Sequence, residues 1–253
     1  MHPNIKALRQ ALAETGVAFS SVEGFEDIVM VAGHPFMYAL TPFNTHSGSA
    51  VCLDKAMLFK LLEGRVRMPR TVSIVDPNGD YPKHIKVDGL EESFKKASGI
   101  PYPLIVKMNA GDAGRNVYKV DTEVEARDGI AAIFNKASKN YDFIALVQEY
   151  IKPVREIRAV IVNGKFSFAY DRKGADMLSG EVADEVSRLS KIILGTVSLS
   201  WCALDFIESE SGELYFLEAN TRPGFEGFLA RHGDRLLVDA YKDALKSFLE
   251  IWR

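Results

Sequence analysis

The stretch of residues 201–228 (WCALDFIESESGELYFLEANTRPGFEGF) constrains the fold most strongly, because it combines two strand-like segments with a tight turn. Residues 201–208 and 213–219 are rich in aromatic and aliphatic residues, as strands usually are. The Ser, Glu and Gly residues at 209–212 between them are typical of a turn. The sequence therefore predicts an antiparallel hairpin over residues 201–219.

Three polar side chains lie within this apolar hairpin. If Glu208 pairs with Glu213 across the turn, the two-residue period of a strand places Asp205, Glu218 and Asn220 on one face. Asp205 and Glu218 are then diagonal neighbours, about 7–8 Å apart at the backbone. Two carboxylates and an amide carbonyl are hard oxygen ligands, which suit Mg²⁺ or Mn²⁺. The alternative is a solvated hairpin with outward polar groups, and a one-residue slip would move Asp205 to the other face.

Composition excludes several classes of protein. The 253 residues are 47% hydrophobic, which is enough for one large domain or two small ones with a sizeable core. The net charge of −3 gives no sign of nucleic-acid binding through bulk charge. The two cysteines, Cys52 and Cys202, form no disulfide framework and favour a reducing compartment. Without a signal-peptide pattern or a membrane-length apolar run, we expect a cytoplasmic protein with no membrane partner.

The rest of the chain alternates between helical and strand patterns. Asn4 is a candidate cap for a helix, and strands are predicted at 17–22 and 28–32, so residues 1–46 resemble a small βαβ-type fragment. The later predicted elements, in chain order, are helix 54–63, strand 72–75, connector 76–86, helix 87–98, strands 104–107 and 116–120, helix 122–139, strand 143–150, hairpin 156–170 and helices 180–194 and 236–252.

A loop with two glycines follows a strand that ends in lysine. Lys107 closes this strand, and Gly111 and Gly114 lie in the loop 108–116. Such a loop can present backbone N–H groups to phosphate oxygens, although an ordinary β-turn is the alternative. It is not a Walker A loop, because no Gly-Lys-Ser/Thr follows. Lys107 beside the loop favours the anion site.

The hairpin at 156–170 carries charges on its first strand. Asn163-Gly164 is a strong signal for its turn. Glu156 and Arg158 share one face by the two-residue period, and an exposed ion pair of little energetic value is the alternative interpretation.

The order of these features resembles the ATP-grasp superfamily, and within it the RimK-type carboxylate–amine ligases such as the α-L-glutamate ligases. The resemblance extends over residues 45–250 and is carried by PLIVK before the glycine loop, by VQEYI, by EIRAVIVNGK and by LEANTRPGFEG. The NT-x-PG part is also similar to the D-alanine–D-alanine ligases.

The resemblance implies an α+β protein with the ATP-grasp fold. Two α/β subdomains would clamp the nucleotide between antiparallel sheets, after a truncated N-terminal βαβ-like domain. The expected division of the chain is 1–46 for the truncated segment, 47–103 for the first part of the ATP-grasp fold, 104–151 for the lid subdomain and 152–253 for the C-terminal subdomain with the metal site.

The resemblance also implies roles for individual residues. It assigns nucleotide binding to Lys55, Lys107, Gly111, Gly114, Arg115, Gln148, Glu149, Tyr150, Ile151 and Glu156. It assigns the metal to Asp205, Glu218 and Asn220. It places the catalytic cations Arg158 and Arg172 near the transferred phosphate and the acyl substrate, with substrate contacts from Arg172, Arg222 and Gly224.

The implied activity is ATP-dependent ligation of a carboxylate to an amine through an acyl phosphate, with release of ADP and phosphate. ATP and two Mg²⁺ or Mn²⁺ ions are the expected cofactors, and a small-molecule or peptide carboxylate and an amine are the expected partners. A homodimer is one arrangement that would cover the edge left by a short N-terminal domain. The alternatives are a phosphotransferase of the same fold and a non-catalytic nucleotide-binding module.

The chain departs from the RimK-type pattern in two places. The stretch after Arg172 (KGADMLSGEV) lacks the Ser-Asn…Arg-Gly-Gly run of the glutamate ligases, so a glutamate donor is not implied. Arg222 replaces a small residue before the Pro-Gly pair. It is either a fork for a substrate carboxylate or a surface arginine on a turn.

Overall fold

A computed structural model describes residues 1–79, 87–111 and 114–251. The helices are α1 (Pro3–Thr15), α2 (His46–Leu53), α3 (Lys55–Leu62), α4 (Leu90–Ala97), α5 (Glu123–Ile133), α6 (Gly180–Thr196), α7 (Glu226–His232) and α8 (Arg235–Ile251). The strands are β1 (Ser20–Val22), β2 (Phe25–Val31), β3 (His34–Met37), β4 (Thr71–Val75), β5 (Leu104–Met108), β6 (Val117–Val120), β7 (Ile144–Glu149), β8 (Pro153–Val162), β9 (Lys165–Asp171), β10 (Trp201–Ser209) and β11 (Leu214–Asn220). Most of the predicted connector 76–86 lies outside the described residues.

The chain folds into two compact units, and helices accompany antiparallel sheets in both, so the predicted α+β class is confirmed. Unit 1 consists of Met1–Cys52, Gly64–Val66 and Pro153–Arg253, and unit 2 consists of Leu53–Glu63 and Arg67–Lys152. Each unit has its own four-stranded antiparallel sheet.

The sheet of unit 1 has the strand order β11-β10-β8-β9, and every neighbouring pair is antiparallel. The predicted hairpin at β8 and β9 is confirmed. Asn163 and Gly164 form its turn with φ values of 52° and 69°. Two positive φ values match the twist of the flanking strands, which is why Asn-Gly is favoured there.

One face of this sheet carries the main core of unit 1. Val160 and Trp201 pack there against α1, α7 and α8. The Trp201 ring stacks on Tyr241 of α8 with centroids 4.6 Å apart. The helices predicted after Asn4 and at 236–252 form as α1 and α8. Each buries an apolar stripe, because positions three and four apart lie on one side of a helix.

The N-terminal segment differs from the prediction. Its strands form a three-stranded antiparallel sheet in the order β1-β2-β3, joined by short turns, so the βαβ-type arrangement is wrong. Parallel strands would need a crossover helix between them, and the helix here precedes all three strands. The cap of α1 is His2, whose Nδ1 accepts a hydrogen bond from the Asn4 N–H, so the capping role predicted for Asn4 is also wrong.

Asn4 instead joins α1 to the C-terminal part of unit 1. Its side chain is fully buried, and its Nδ2 donates to the carbonyl of Pro223 at 3.0 Å. The capping signal failed because the residue preceding Pro3 supplied the acceptor. The consequence is a direct hydrogen bond between the first helix and the Pro-Gly turn of the LEANTRPGFEG segment.

The sheet of unit 2 has the order β4-β7-β5-β6. One face packs against α4 and α5 through Ile74, Val106, Val147 and Ile130. Because side chains alternate along a strand, Lys107 of β5 lies on the opposite face. This alternation separates a dry apolar side of the sheet from a side that carries polar groups.

Candidate functional site

Two groups of predicted site residues come together, and each group lies within one unit. The first, called the acidic cluster, consists of Asp205, Glu218, Asn220 and Arg158 in unit 1. The second, called the lysine junction, is the contact of the start of α3 with the loop after β5 in unit 2.

A β-bulge builds the acidic cluster. Asp205 lies directly opposite Glu218, while the next residue, Phe206, lies opposite Phe216. Leu217 is therefore an extra residue on β11, and two residues of that strand face one of β10. In a regular strand Phe216 and Glu218 would share a face. The bulge lets Phe216 meet Phe206 on one face while Glu218 meets Asp205 on the other.

The predicted register of this hairpin is wrong by one residue near the turn and by two residues at Asp205. A shift of two residues leaves each side chain on its predicted face. Glu208 pairs with Leu214 rather than with Glu213, and the bulge then shifts the pairing by a further residue. The two acids are therefore direct cross-strand neighbours instead of diagonal ones, and the predicted sharing of a face is retained.

The three side chains predicted to bind a metal do meet. The Nδ2 of Asn220 donates to Oδ2 of Asp205 at 2.8 Å and to Oε1 of Glu218 at 3.1 Å. The amide thus lies between two carboxylates. A 180° rotation of the amide would exchange Nδ2 for Oδ1 and present a third oxygen at this position.

Arg158 fixes the acid at the centre of the cluster. Its Nε and Nη2 donate to Oδ1 and Oδ2 of Asp205, both at 2.8 Å, and its Nη1 donates to the carbonyl of Gly224 at 3.0 Å. Arg158 is 9% exposed and Asp205 is 1% exposed. The predicted alternative of an exposed ion pair between Glu156 and Arg158 is wrong, because Arg158 is buried against Asp205.

Burial and pairing act in opposite directions on the charges of this pair. Burial raises the pKa of the Asp205 carboxyl, and the two hydrogen bonds from Arg158 oppose that rise. Burial also disfavours the charged form of Arg158, but the bonds to Asp205 outweigh it, so the pKa of Arg158 is raised. The same hydrogen bonds thus oppose the cost of burial for both partners.

Other predicted cations and acids lie around the cluster at greater exposure. Arg172 has a side chain that is 42% exposed, with its Nη1 3.6 Å from Oδ2 of Asp205. Glu156 binds Lys173 at 3.1 Å. Arg222 is exposed on the turn after β11. The structure thus places Arg172 beside the cluster and assigns Glu156 a neighbouring ion pair.

The lysine junction holds Lys55 in place with backbone carbonyls. Lys55 lies in the first turn of α3, which Asp54 caps by accepting the Met57 N–H at 2.9 Å. The Lys55 ammonium donates to the carbonyls of Asn109 at 3.3 Å and Gly111 at 2.5 Å. Lys55 is 6% exposed, whereas most lysines in proteins lie on the surface.

Two residues that the sequence did not single out organise this junction. The Asn109 side chain accepts the Ala56 N–H at 2.8 Å and donates to Oδ1 of Asp54 at 3.0 Å. Oδ2 of Asp142 accepts the Ala110 N–H at 2.7 Å. Asn and Asp near glycine are ordinary turn residues, so no local signal separates these two from the others in the chain.

Gly111 and Gly114 are glycines for different local reasons. A Cβ on Gly111 would lie 2.3 Å from Cγ of Met108, so close packing requires glycine there. Gly114 has φ +70°, a conformation that favours glycine. Arg115 is exposed, and residues 112–113 lie outside the described part of the chain. Close packing and backbone conformation thus account for both glycines without a ligand.

Lys107 and Gln148 lie on the polar face of the sheet of unit 2. The Lys107 ammonium lies 5.4 Å from the centroid of the Phe59 ring, a cation–π distance. Nε2 of Gln148 donates to Oγ1 of Thr71 at 2.8 Å. Both lysines are buried and both are associated with α3, because Lys55 is its first residue and Lys107 contacts its Phe59.

The end of β7 is tied to its own unit through side chains. Oε2 of Glu149 accepts the backbone N–H of Arg70 at 3.2 Å. The Lys119 ammonium lies 4.2 Å from the centre of the Tyr150 ring. Ile151, which follows, is half-buried. These contacts fix the strand end in its own unit.

The acidic cluster has a mixed donor set of two acids and an amide. Within residues 1–79, 87–111 and 114–251 no three His, Cys, Asp or Glu side chains come together as metal ligands, and the amide of Asn220 is the third group here instead. In the same ranges no helix has the length and apolar character needed to cross a bilayer.

Solved structures resemble the fold. The D-alanine–D-alanine ligase of Bacillus anthracis in complex with ATP matches with a TM-score of 0.63 at 19% identity, covering 83% of this chain and 69% of that one. The VanG D-Ala:D-Ser ligase of Enterococcus faecalis matches with a TM-score of 0.61 at 19% identity, covering 81% of this chain and 63% of that one. The chain therefore has the ATP-grasp fold that the sequence predicts.

Sequence comparison identifies the family within the ATP-grasp fold. The RimK-like ATP-grasp domain matches residues 86–236, and the chain belongs to this family. The probable alpha-L-glutamate ligase of Parasynechococcus marenigrum is 29% identical over 53% of this chain and 30% of that protein. The D-alanine–D-alanine ligase A of Clostridium perfringens is 31% identical over 70% of this chain and 59% of that protein. The chain thus matches less than two thirds of the length of these relatives.

Proposed function

We propose that this protein is an ATP- and Mg²⁺-dependent ligase that joins a carboxylate to an amine. The observation that carries the proposal is the meeting of Asp205, Glu218 and Asn220 in a chain of the RimK-like ATP-grasp family. The relatives named as glutamate and D-alanine ligases support this activity, since both names describe ligation of amino acids.

The acidic cluster fits a divalent cation chemically. Each carboxylate oxygen has two lone pairs, so Asp205 can bind Arg158 and still accept another partner. Glu218 and Asn220 are half-buried, which leaves them open to an entering ion. Mg²⁺ prefers such oxygen ligands together with water and phosphate, and it would offset the negative charge of the triphosphate. The expectation of two ions stays a prediction.

In this proposal the nucleotide is bound by groups of unit 2 and by Glu156 of unit 1. Lys55, Lys107 and the backbone of the loop with Gly111, Gly114 and Arg115 contact its phosphates, because ammonium and N–H groups are donors for anionic oxygens. The backbone of Gln148, Glu149, Tyr150 and Ile151 contacts the adenine, and Glu156 contacts the ribose or adenine. These roles come from the family resemblance and are supported by the burial of both lysines.

The cations of unit 1 have separate roles in the reaction. Arg158 is fully engaged with Asp205 and Gly224, so it holds the acid and the Pro-Gly turn in position. Arg172 is partly exposed beside Asp205 and can stabilise the transferred phosphoryl group. Arg222 is exposed and offers a fork for a substrate carboxylate, next to Gly224.

The chemistry balances with ATP as the phosphoryl donor. A carboxylate oxygen bonds to the γ-phosphorus, the bond from that phosphorus to the β–γ bridging oxygen breaks, and ADP leaves. The amine then bonds to the acyl carbon, phosphate leaves with the former carboxylate oxygen, and the nitrogen loses a proton. The protein contributes position and charge stabilisation, and the reaction needs no nucleophilic side chain.

The test is ADP release from Mg-ATP in a screen that pairs amino-acid and peptide carboxylates with amines. Glu218→Gln should lower kcat by about 10²- to 10³-fold, the range for removing one preorganised electrostatic group. Glu210→Gln, in the exposed turn of the same hairpin, is the matched control and should leave the rate unchanged.

Two results would contradict the proposal. ADP release by Glu218→Gln at the wild-type rate would show that the acidic cluster takes no part in the reaction. ADP release that needs no amine and leaves a stable phosphorylated product would replace the ligase with a phosphotransferase.

A further inference from the structure

Asn109 connects three parts of unit 2 at a single residue. Its N–H donates to the carbonyl of Ile144 on β7 at 3.1 Å, and its own carbonyl accepts from the Lys55 ammonium at 3.3 Å. Its side chain bonds both the cap and the first turn of α3. Asn109 is 4% exposed, so solvent does not replace these bonds. One residue thus holds the start of a helix, a lysine and the start of a loop together, through its backbone and its side chain.

We propose that Asn109 is a positioning residue for nucleotide binding, which sets Lys55 and the start of the glycine loop, residues 109–111, in one fixed arrangement. The inference rests on the proposed function, because it assumes that Lys55 and the loop contact the nucleotide phosphates. Asn109 itself is a positioning residue and not a catalytic one, since its side chain is occupied by Asp54 and Ala56.

The physical reason is preorganisation. A lysine side chain has many rotamers, and ordering it on ligand binding costs entropy. Here α3 begins at Lys55, and Asn109 binds the helix on both sides of that residue. The ammonium is therefore ordered before a ligand arrives, and this lowers the cost of binding.

Asp142 supports the same arrangement from the other side. It accepts the Ala110 N–H with Oδ2 and the Ile144 N–H with Oδ1 at 3.1 Å. Two buried side chains therefore fix the start of the loop. Asp142 binds the backbone of Ala110, and Asn109 binds through its own side chain. Asn109 is the one that also reaches α3.

The Asn109–Asp54 bond allows a test by exchange of the two groups. Asn109→Asp removes the donor and sets two carboxylates against each other at a separation that is now a 3.0 Å hydrogen bond. Combining Asn109→Asp with Asp54→Asn restores a donor and an acceptor between the two side chains. Asp54→Asn alone controls for the cap of α3, because Oδ1 of Asp54 also accepts the Met57 N–H. The exposed Asn135→Ala in the same unit is the control.

The measurements are the dissociation constant for Mg-ADP, the KM for ATP and kcat, together with the thermal midpoint of each variant. We expect Asn109→Asp to weaken ADP binding by about 10- to 100-fold, the range for supporting groups behind a binding site. KM for ATP should rise with it, while kcat at saturating ATP changes by less. The exchanged pair should recover ADP binding to within about threefold of wild type.

The outcomes separate the two proposals. A wild-type protein that does not bind Mg-ADP overturns the proposed function and the role of Asn109 with it. A wild-type protein that binds Mg-ADP, with a folded Asn109→Asp variant of equal affinity, overturns the role of Asn109 alone. If Asn109→Asp does not fold, a folded exchanged pair that still binds ADP weakly overturns it as well.

Discussion

The two units hold their buried charges in different ways. In unit 1 the Asp205 carboxylate is bound by the full opposite charge of Arg158, through two bonds of 2.8 Å. In unit 2 the Lys55 ammonium binds the neutral backbone carbonyls of Asn109 and Gly111. Both side chains are almost fully buried.

This difference predicts that the Asp205–Arg158 contact is costly to break, whereas the Lys55 ammonium can exchange its carbonyl partners for a ligand. Removal of one member of a buried ion pair leaves an uncompensated charge, which is costly. Removal of a lysine from two carbonyls leaves neutral acceptors, which is cheaper. The same asymmetry suits the proposed roles, because a metal ligand needs a fixed position while a phosphate-binding lysine must accept a new partner.

The largest effect is expected from Asp205→Asn. The variant leaves Arg158 buried without its anion and should lose about 3–5 kcal/mol of unfolding free energy, measured by chemical denaturation. The control is Glu185→Gln in the same unit, because the side chains of Glu185 and its partner Arg188 are 44% and 58% exposed. It should lose about 1 kcal/mol or less. Equal losses for the two variants would contradict the difference between buried and exposed ion pairs.

Lys55→Met should cost less than Asp205→Asn. The apolar side chain keeps much of the packing volume but leaves the carbonyls of Asn109 and Gly111 without this donor. We expect a loss of about 1–3 kcal/mol in the same denaturation experiment. A loss as large as that of Asp205→Asn would show that charge, and not the neutral hydrogen bonds, dominates at this position.

Asn4→Ala tests whether the loss of unfolding free energy depends on the charge of the group that is removed or on the unit in which the group lies. Asn4 lies in unit 1, but its bond to the Pro223 carbonyl joins two neutral groups. The expected loss is about 0.5–1.5 kcal/mol, the value for a typical hydrogen bond. A loss in the range of Asp205→Asn would mean that unit 1 as a whole is more sensitive, whatever the charge.

The smallest effect concerns an exposed charge group in unit 1. Glu14 binds Lys242, and this hydrogen bond and its neighbours lower the pKa of Glu14 from 4.5 to about 2. A lowered pKa stabilises the folded state fully above pH 4.5, and this contribution is lost as the pH falls through about 2.

The measurement is the stability of wild type and Glu14→Gln as a function of pH. The two curves should converge between pH 4.5 and 2, and 1 M salt should reduce the difference, since the screening length is then about 3 Å. The loss for Asp205→Asn should depend less on salt, because Asp205 is 1% exposed and its contact with Arg158 is screened less than a surface pair. An equal salt dependence of the two losses would contradict the burial of Asp205.

Local signals predicted the elements well. The helices α1 and α8 and the Asn163-Gly164 turn depend on neighbours within a few residues, and the structure confirms them. The arrangement of the first 46 residues was predictable from loop length. Only five residues separate the predicted strands 17–22 and 28–32, which is too few for the crossover that a βαβ-type arrangement needs.

The site was predictable in its residues but not in its geometry. Asp205, Glu218 and Asn220 were recognised as a set because charges are rare in such an apolar hairpin. The bulge at Leu217 had no signal, since leucine is as ordinary in a bulge as in a regular strand. Asn109 and Arg158 depend on partners far away in the chain, Asp54 and Asp205, so only the folded molecule reveals their roles.

The bulge also determines where the hairpin can be altered. It lies between the acids and the tip of the ribbon, so residues 209–213 can change in composition while the oxygens keep their places. Deletion of Leu217 would remove the bulge but leave Glu218 opposite Asp205, because Leu217 is the extra residue. The tip is therefore a suitable attachment point for a fluorophore or spin label that reports on ligand binding.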